Sequence, residues 1–150
     1  IIESVHTGTL PLVVGYTGIK ADTPTIIRQV AELKRNEKWV ESVFGDIAEL
    51  VNQAKNNFTK INFEHLGKLM NRNQELLSTL NVSSRELDKL IEAAKNNGAY
   101  GAKLSGAGGG DCMIAFAPEN RVDEVGSAIE KAGGVWMKVK TGADGVRREK

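Results

Sequence analysis

Apolar positions along the chain change their period near its middle. The run Leu10 to Gly15, LPLVVG, is short and closed by glycine, and its length and paired valines predict a buried strand. The spacing then becomes helical. Thr23 followed by Pro24 predicts a helix start, with the hydroxyl as cap and proline at the first helical position; Ile26, Ile27, Val30 and Leu33 give this helix an apolar face. A second helix is predicted over Glu37 to Asn57, where Val40, Val43, Ile47, Leu50, Val51 and Ala54 recur at helical spacing. Gly45 inside it weakens the helix and marks a bend or a close contact. A third helix runs from about Asn62 to Leu80, with a stripe of Phe63, Leu66, Met70, Leu77 and Leu80 in which Asn73 takes an apolar slot. Ser83 and Glu86 have capping-box spacing and open a fourth helix carrying Leu87, Leu90, Ile91 and Ala94, which the Asn96-Asn97-Gly98 run ends.

Beyond residue 100 the period shortens. GAKLS is a strand candidate, a glycine-rich loop follows, and DCMIAFA is a second strand with Cys112, Ile114 and Phe116 on one face and Pro118 as its stop. RVDEVGSAIEKAGG reads as a short helix with a glycine stop, VWMKVK as an alternating strand, and GVRRE as a further edge segment. Five helices with four or five strands, the first strand set apart by a long helical stretch, predict an α+β fold. In it an antiparallel sheet carries helices packed on one face, as in a ferredoxin-like sandwich. The 150 residues suit one domain with a real core, and no repeat or low-complexity linker divides them.

Charge and cysteine usage narrow the class. Twenty basic and nineteen acidic residues leave a formal net charge of +1, which gives no reason to expect a nucleic-acid groove or a polybasic membrane anchor. No apolar run approaches the length of a membrane span. The single cysteine, Cys112, has no internal disulfide partner, so a reducing, cytoplasmic setting is the expectation. The chain opens on Ile1 with an apolar run that lacks the features of a signal peptide, and it is expected to be a fragment of a longer protein.

The loop SGAGGGDC carries the strongest chemical signal. Five glycines fall within residues 101–110, more than a hairpin turn needs, and backbone N–H groups in such a loop can converge on an anion because no Cβ blocks the approach. The loop is not a P-loop, since no Lys-Ser/Thr pair follows, and the element after it reads as a strand rather than the helix a dinucleotide fingerprint requires. Between the first strand and the first helix, Thr17 and Lys20 are candidate neighbours of a ligand, while Thr23 reads as the cap. Asn73 is open between two roles: a helix-edge amide satisfied by backbone, or an amide that orients a loop or ligand. His6 and His65 have no local partner for a metal or a triad, Cys112 reads as packing, and Trp39 and Trp136 read as core or edge aromatics.

Three segments in order carry a resemblance: LVVGYTGIKADT, MNRNQELLSTLNVSSRELDKL and GAYGAKLSGAGGGDCMIAF. Together they resemble the C-terminal half of mevalonate kinases, the archaeal type especially, within the GHMP kinase superfamily, and the tail TGADGVRRE is similar to that family's end. The glycine loop matches the superfamily's third motif, and Asn73-Gln74 narrows the likeness towards mevalonate kinase. The resemblance implies that residues 1–150 are a GHMP kinase C-terminal domain without its N-terminal ATP-binding domain. It implies a parent enzyme that moves the γ-phosphoryl of Mg2+-ATP to the 5-hydroxyl of mevalonate in a cleft between two domains. Gly106, Ala107, Gly108, Gly109 and Gly110 would then be the phosphate and substrate loop, with Thr17, Lys20, Asn73 and Ser105 as cleft candidates and no catalytic or metal residue in this half. Asp111 departs from the pattern, where many members have glycine, and a carboxylate there repels phosphates unless it points away or meets a cation.

Alone, such a half is expected to be catalytically silent, and its cut face, if apolar, invites a homodimer. Two other readings stay open: another GHMP kinase acting on phosphomevalonate, homoserine or a galactose-type sugar, and a stand-alone α+β binding or regulatory module.

Overall fold

The computed structural model describes residues 9–58 and 62–142. The element order is β1 (Leu12–Tyr16), α1 (Thr23–Asn36), α2 (Trp39–Phe58), α3 (Phe63–Thr79), α4 (Arg85–Asn96), β2 (Gly101–Ser105), β3 (Cys112–Phe116), α5 (Val122–Lys131) and β4 (Val135–Met137). A single 3-10 turn, Glu119–Arg121, leads into α5. The expected GVRRE edge segment and His6 lie outside the described residues.

The four strands form one antiparallel sheet in the order β2-β3-β1-β4. Strand alternation sorts its faces. Val13, Ala102, Leu104, Met113 and Ala115 point one way and pack with Leu87, Leu90, Ile91 and Ala94 of α4 and Val125 and Ile129 of α5. Leu12, Ile114 and Phe116 point the other way and meet Leu66, Leu69 and Met70 of α3. The main core therefore lies under α4 and α5, and α3, backed by α2, wraps the β2 edge.

That wrapping depends on glycine. A Cβ on Gly67 of α3 would overlap the Tyr100 main chain, and a Cβ on Gly101 would overlap the Gly67 carbonyl. The helix backbone thus rides directly on the edge strand. Edge strands present unpaired N–H and C=O groups, and α3 supplies side chains for them. Asn71 donates to the Tyr100 carbonyl (3.3 Å) and accepts from Ala102 N–H (3.1 Å), and the Gln74 side-chain oxygen accepts from Leu104 N–H (2.9 Å).

Two caps differ from expectation by one residue. Asp22, not Thr23, caps α1, because its carboxylate reaches both the N–H and the hydroxyl of Thr25. Ser84, not Ser83, caps α4, because the Ser83 hydroxyl is taken by the Asp88 carboxylate (2.6 Å) and the Gln74 amide (3.0 Å). Gly45 makes no close contact; space is open where its side chain would stand.

Candidate functional site

The glycine loop joins β2 to β3 and is held from three sides. The Gly109 N–H donates to the Val82 carbonyl in the α3–α4 turn (2.7 Å), and the Asp111 N–H donates to the Ile19 carbonyl (2.7 Å). On the third side, Gly109 lies against Ile26 of α1. Gly106, Gly108, Gly109 and Gly110 all have positive φ. Gly108 shows why no other residue serves: its φ is +89°, and a Cβ would strike the Val82 carbonyl oxygen. The turn it touches is itself fixed, since Gln74 bridges Leu104 N–H to Ser83, and Ser83 bonds Asp88.

Once those anchors are made, part of the loop remains uncommitted. Among the described residues, the N–H groups of Gly106, Ala107, Gly108 and Gly110 make no hydrogen bond. Successive free N–H groups in a positive-φ segment are a binding surface for an oxyanion.

Thr17, Lys20 and Ser105 gather at this loop. The Thr17 hydroxyl is buried; it donates towards the carbonyls of Asp111 (3.0 Å) and Ile19 (3.2 Å) and accepts from Ile19 N–H (3.2 Å). Its backbone N–H also donates to Asp111 (2.9 Å), so Thr17 latches the β1–α1 turn onto the loop's end. Lys20 is exposed, between Ile19, which lies against Gly110, and Ala21, which lies against Gly109 and Gly110. Ser105 is half-buried at the end of β2, paired with Cys112. Burial, and then the Asp111 charge, push the Cys112 thiol above its ordinary range.

Asn73 lies elsewhere. It lines a cleft between α2, α3 and the sheet, together with Lys103. The stripe reading missed Asn71 and Gln74, the α3 polar residues that reach β2. Their spacing of three, four residues beyond Gly67, was the available signal. It missed Lys103 too, whose signal was a charge between Ala102 and Leu104 in an apolar strand.

Comparison with known proteins gives this geometry a family. The profile described as GHMP kinases C terminal matches residues 46–135. The chain belongs to the GHMP kinase family. Curated relatives of this GHMP kinase domain include the mevalonate kinase of Thermococcus gammatolerans, 42% identical over 146 residues, covering 93% of the chain and 43% of that protein. The mevalonate kinase of Pyrococcus horikoshii is 43% identical over 148 residues, again covering 93% of the chain and 43% of the relative. Among solved structures, L. major mevalonate kinase in complex with R-mevalonate superposes with a TM-score of 0.77 at 33% identity, covering 84% of the chain and 38% of that structure. The domain therefore spans less than half the length of the relatives it matches.

The α+β fold with one antiparallel sheet and helices on it holds; α4 and α5 pack on one face as expected, while α3 also reaches the other. No helix among the described residues is long and apolar enough to cross a membrane. Nor do the described residues of this GHMP kinase domain group three His, Cys, Asp or Glu side chains as a metal site would need.

Proposed function

We propose that residues 1–150 are the C-terminal half of an ATP-dependent mevalonate kinase, which transfers the γ-phosphoryl group of ATP to the 5-hydroxyl of mevalonate in the cytoplasm. The observation that carries this reading is the identity of about 40% to mevalonate kinases over nearly the whole chain. Phosphoryl transfer relies on positioning and electrostatic stabilisation. This half contributes a rigid wall. Gly106, Ala107, Gly108 and Gly110 offer uncommitted N–H groups to phosphate or substrate, Thr17 fixes the loop's far end, and Lys20 and Ser105 flank it. The general base, the metal ligands and the ATP loop belong to the rest of the parent, which would also place Mg2+ on the ATP phosphates.

The test is an ATP-dependent mevalonate phosphorylation assay on the 150-residue chain and on the chain joined to its upstream coding sequence. The joined protein is expected to turn over and the chain alone to stay silent. Turnover of the chain alone near that of the joined protein overturns the half-enzyme reading. A joined protein that phosphorylates phosphomevalonate, homoserine or galactose in preference to mevalonate overturns the substrate.

A further inference from the structure

We propose that the cleft between α2, α3 and the sheet is a second binding site, which takes a small amphipathic anion with its aliphatic chain among the apolar walls and its head on the Lys103 ammonium. The cleft encloses about 280 Å³. Leu50, Ala54, Leu69, Met70, Ile114 and Phe116 line it, and Lys103 and Asn73 are its two polar residues. No residue of the glycine loop takes part, so the site stands apart from the phosphate wall and does not depend on the kinase reading.

Lys103 carries the argument. It projects from β2 on the face away from α4 and α5, beside Ile114 of β3. Its Nζ donates to the Leu104 carbonyl (2.6 Å), and no carboxylate among the described residues lies within ion-pair distance. An ammonium offers three donors, so one backbone carbonyl leaves it under-partnered. Burial holds this amine below the ordinary lysine range, the mark of a charge taken from water without a counter-ion. Keeping such a charge against apolar walls costs stability, and an anionic head group offsets that cost. Asn73, which makes no hydrogen bond to the described residues, adds a second polar group to the same lining. The apolar lining selects the tail.

Decanoate is the probe, followed by calorimetry and by methyl NMR of the full 150-residue chain, below its micelle threshold. Saturable binding is expected, with the Met70 and Ile114 methyl signals moving while the glycine-loop signals stay. Lys103→Met should weaken decanoate by about tenfold or more, the loss of one charge-assisted contact. Lys103→Arg should retain most of the affinity, and decanol should bind the unmodified chain and Lys103→Met alike. Absence of saturable binding, shifts confined to the glycine loop, or equal decanoate affinity in Lys103→Met would each overturn the site.

Discussion

Asp111 sits at φ +57°, a left-handed conformation that glycine adopts freely and aspartate tolerates better than most residues. Its backbone explains its place in the loop: the N–H is held by Ile19, and the carbonyl is held twice by Thr17. From sequence the residue was only a carboxylate in a phosphate loop, because the partners that fix it lie some 90 positions away in the chain. Its side chain acts on a neighbour. The Cys112 thiol is raised first by burial and then by the Asp111 charge, and a raised thiol holds less thiolate at neutral pH. Alkylation by iodoacetamide, followed against pH, should therefore show a midpoint above the ordinary cysteine value of about 8.5. Asp111→Asn removes the charge and keeps the left-handed tolerance. It should lower that midpoint without restoring the ordinary value, since burial is the larger cause. A midpoint that does not move would show that the carboxylate leaves the thiol untouched.

At the scale of the element, α3 and its seat on β2 decide how the site is built. The apolar stripes of α2, α3 and α4 were legible because helical period is a local property. The polar positions that matter were not. Asn71 and Gln74 answer unpaired groups of an edge strand, and β2 is an edge only because the sheet orders itself β2-β3-β1-β4, a long-range fact. The stripe put Asn73 in an apolar slot, whereas the burial follows Leu66, Gly67, Met70 and Gln74. Two glycines separate propensity from packing. Gly45 of α2 faces open space, so Gly45→Ala should stabilise the chain by about 0.5–1 kcal/mol through helix propensity alone. Gly67→Ala gains the same propensity, yet its methyl overlaps the Tyr100 main chain, so a net loss of about 1–3 kcal/mol is expected. Urea unfolding should move the two midpoints in opposite directions. A rise for Gly67→Ala would mean that α3 shifts off β2 without penalty.

For the whole molecule, the same sheet order that makes β2 an edge covered by a helix makes β4 an edge covered by none of the described elements. On β4 the alternation is inverted relative to the core. Trp136 packs over Gly126 of α5, while Val135 and Met137 are 54% and 45% exposed. Register places them beside Tyr16 and Val14, on the face turned away from α4 and α5. The sequence predicted VWMKVK as a strand, but it could not say which of its faces would stay open, since that depends on which helices the sheet receives. An open apolar face that ends in an unpaired strand edge favours association with a second copy of this chain, by face burial and by strand pairing. Sedimentation velocity over a range of concentrations should show a reversible monomer–dimer shift. Met137→Lys places a charge on that face and should return the chain to monomer at all concentrations with its thermal midpoint little changed, because the position is exposed. A clean monomer of the unmodified chain at high concentration would mean that the face is too small or too twisted to pair, and a dimer that survives Met137→Lys would place the contact elsewhere.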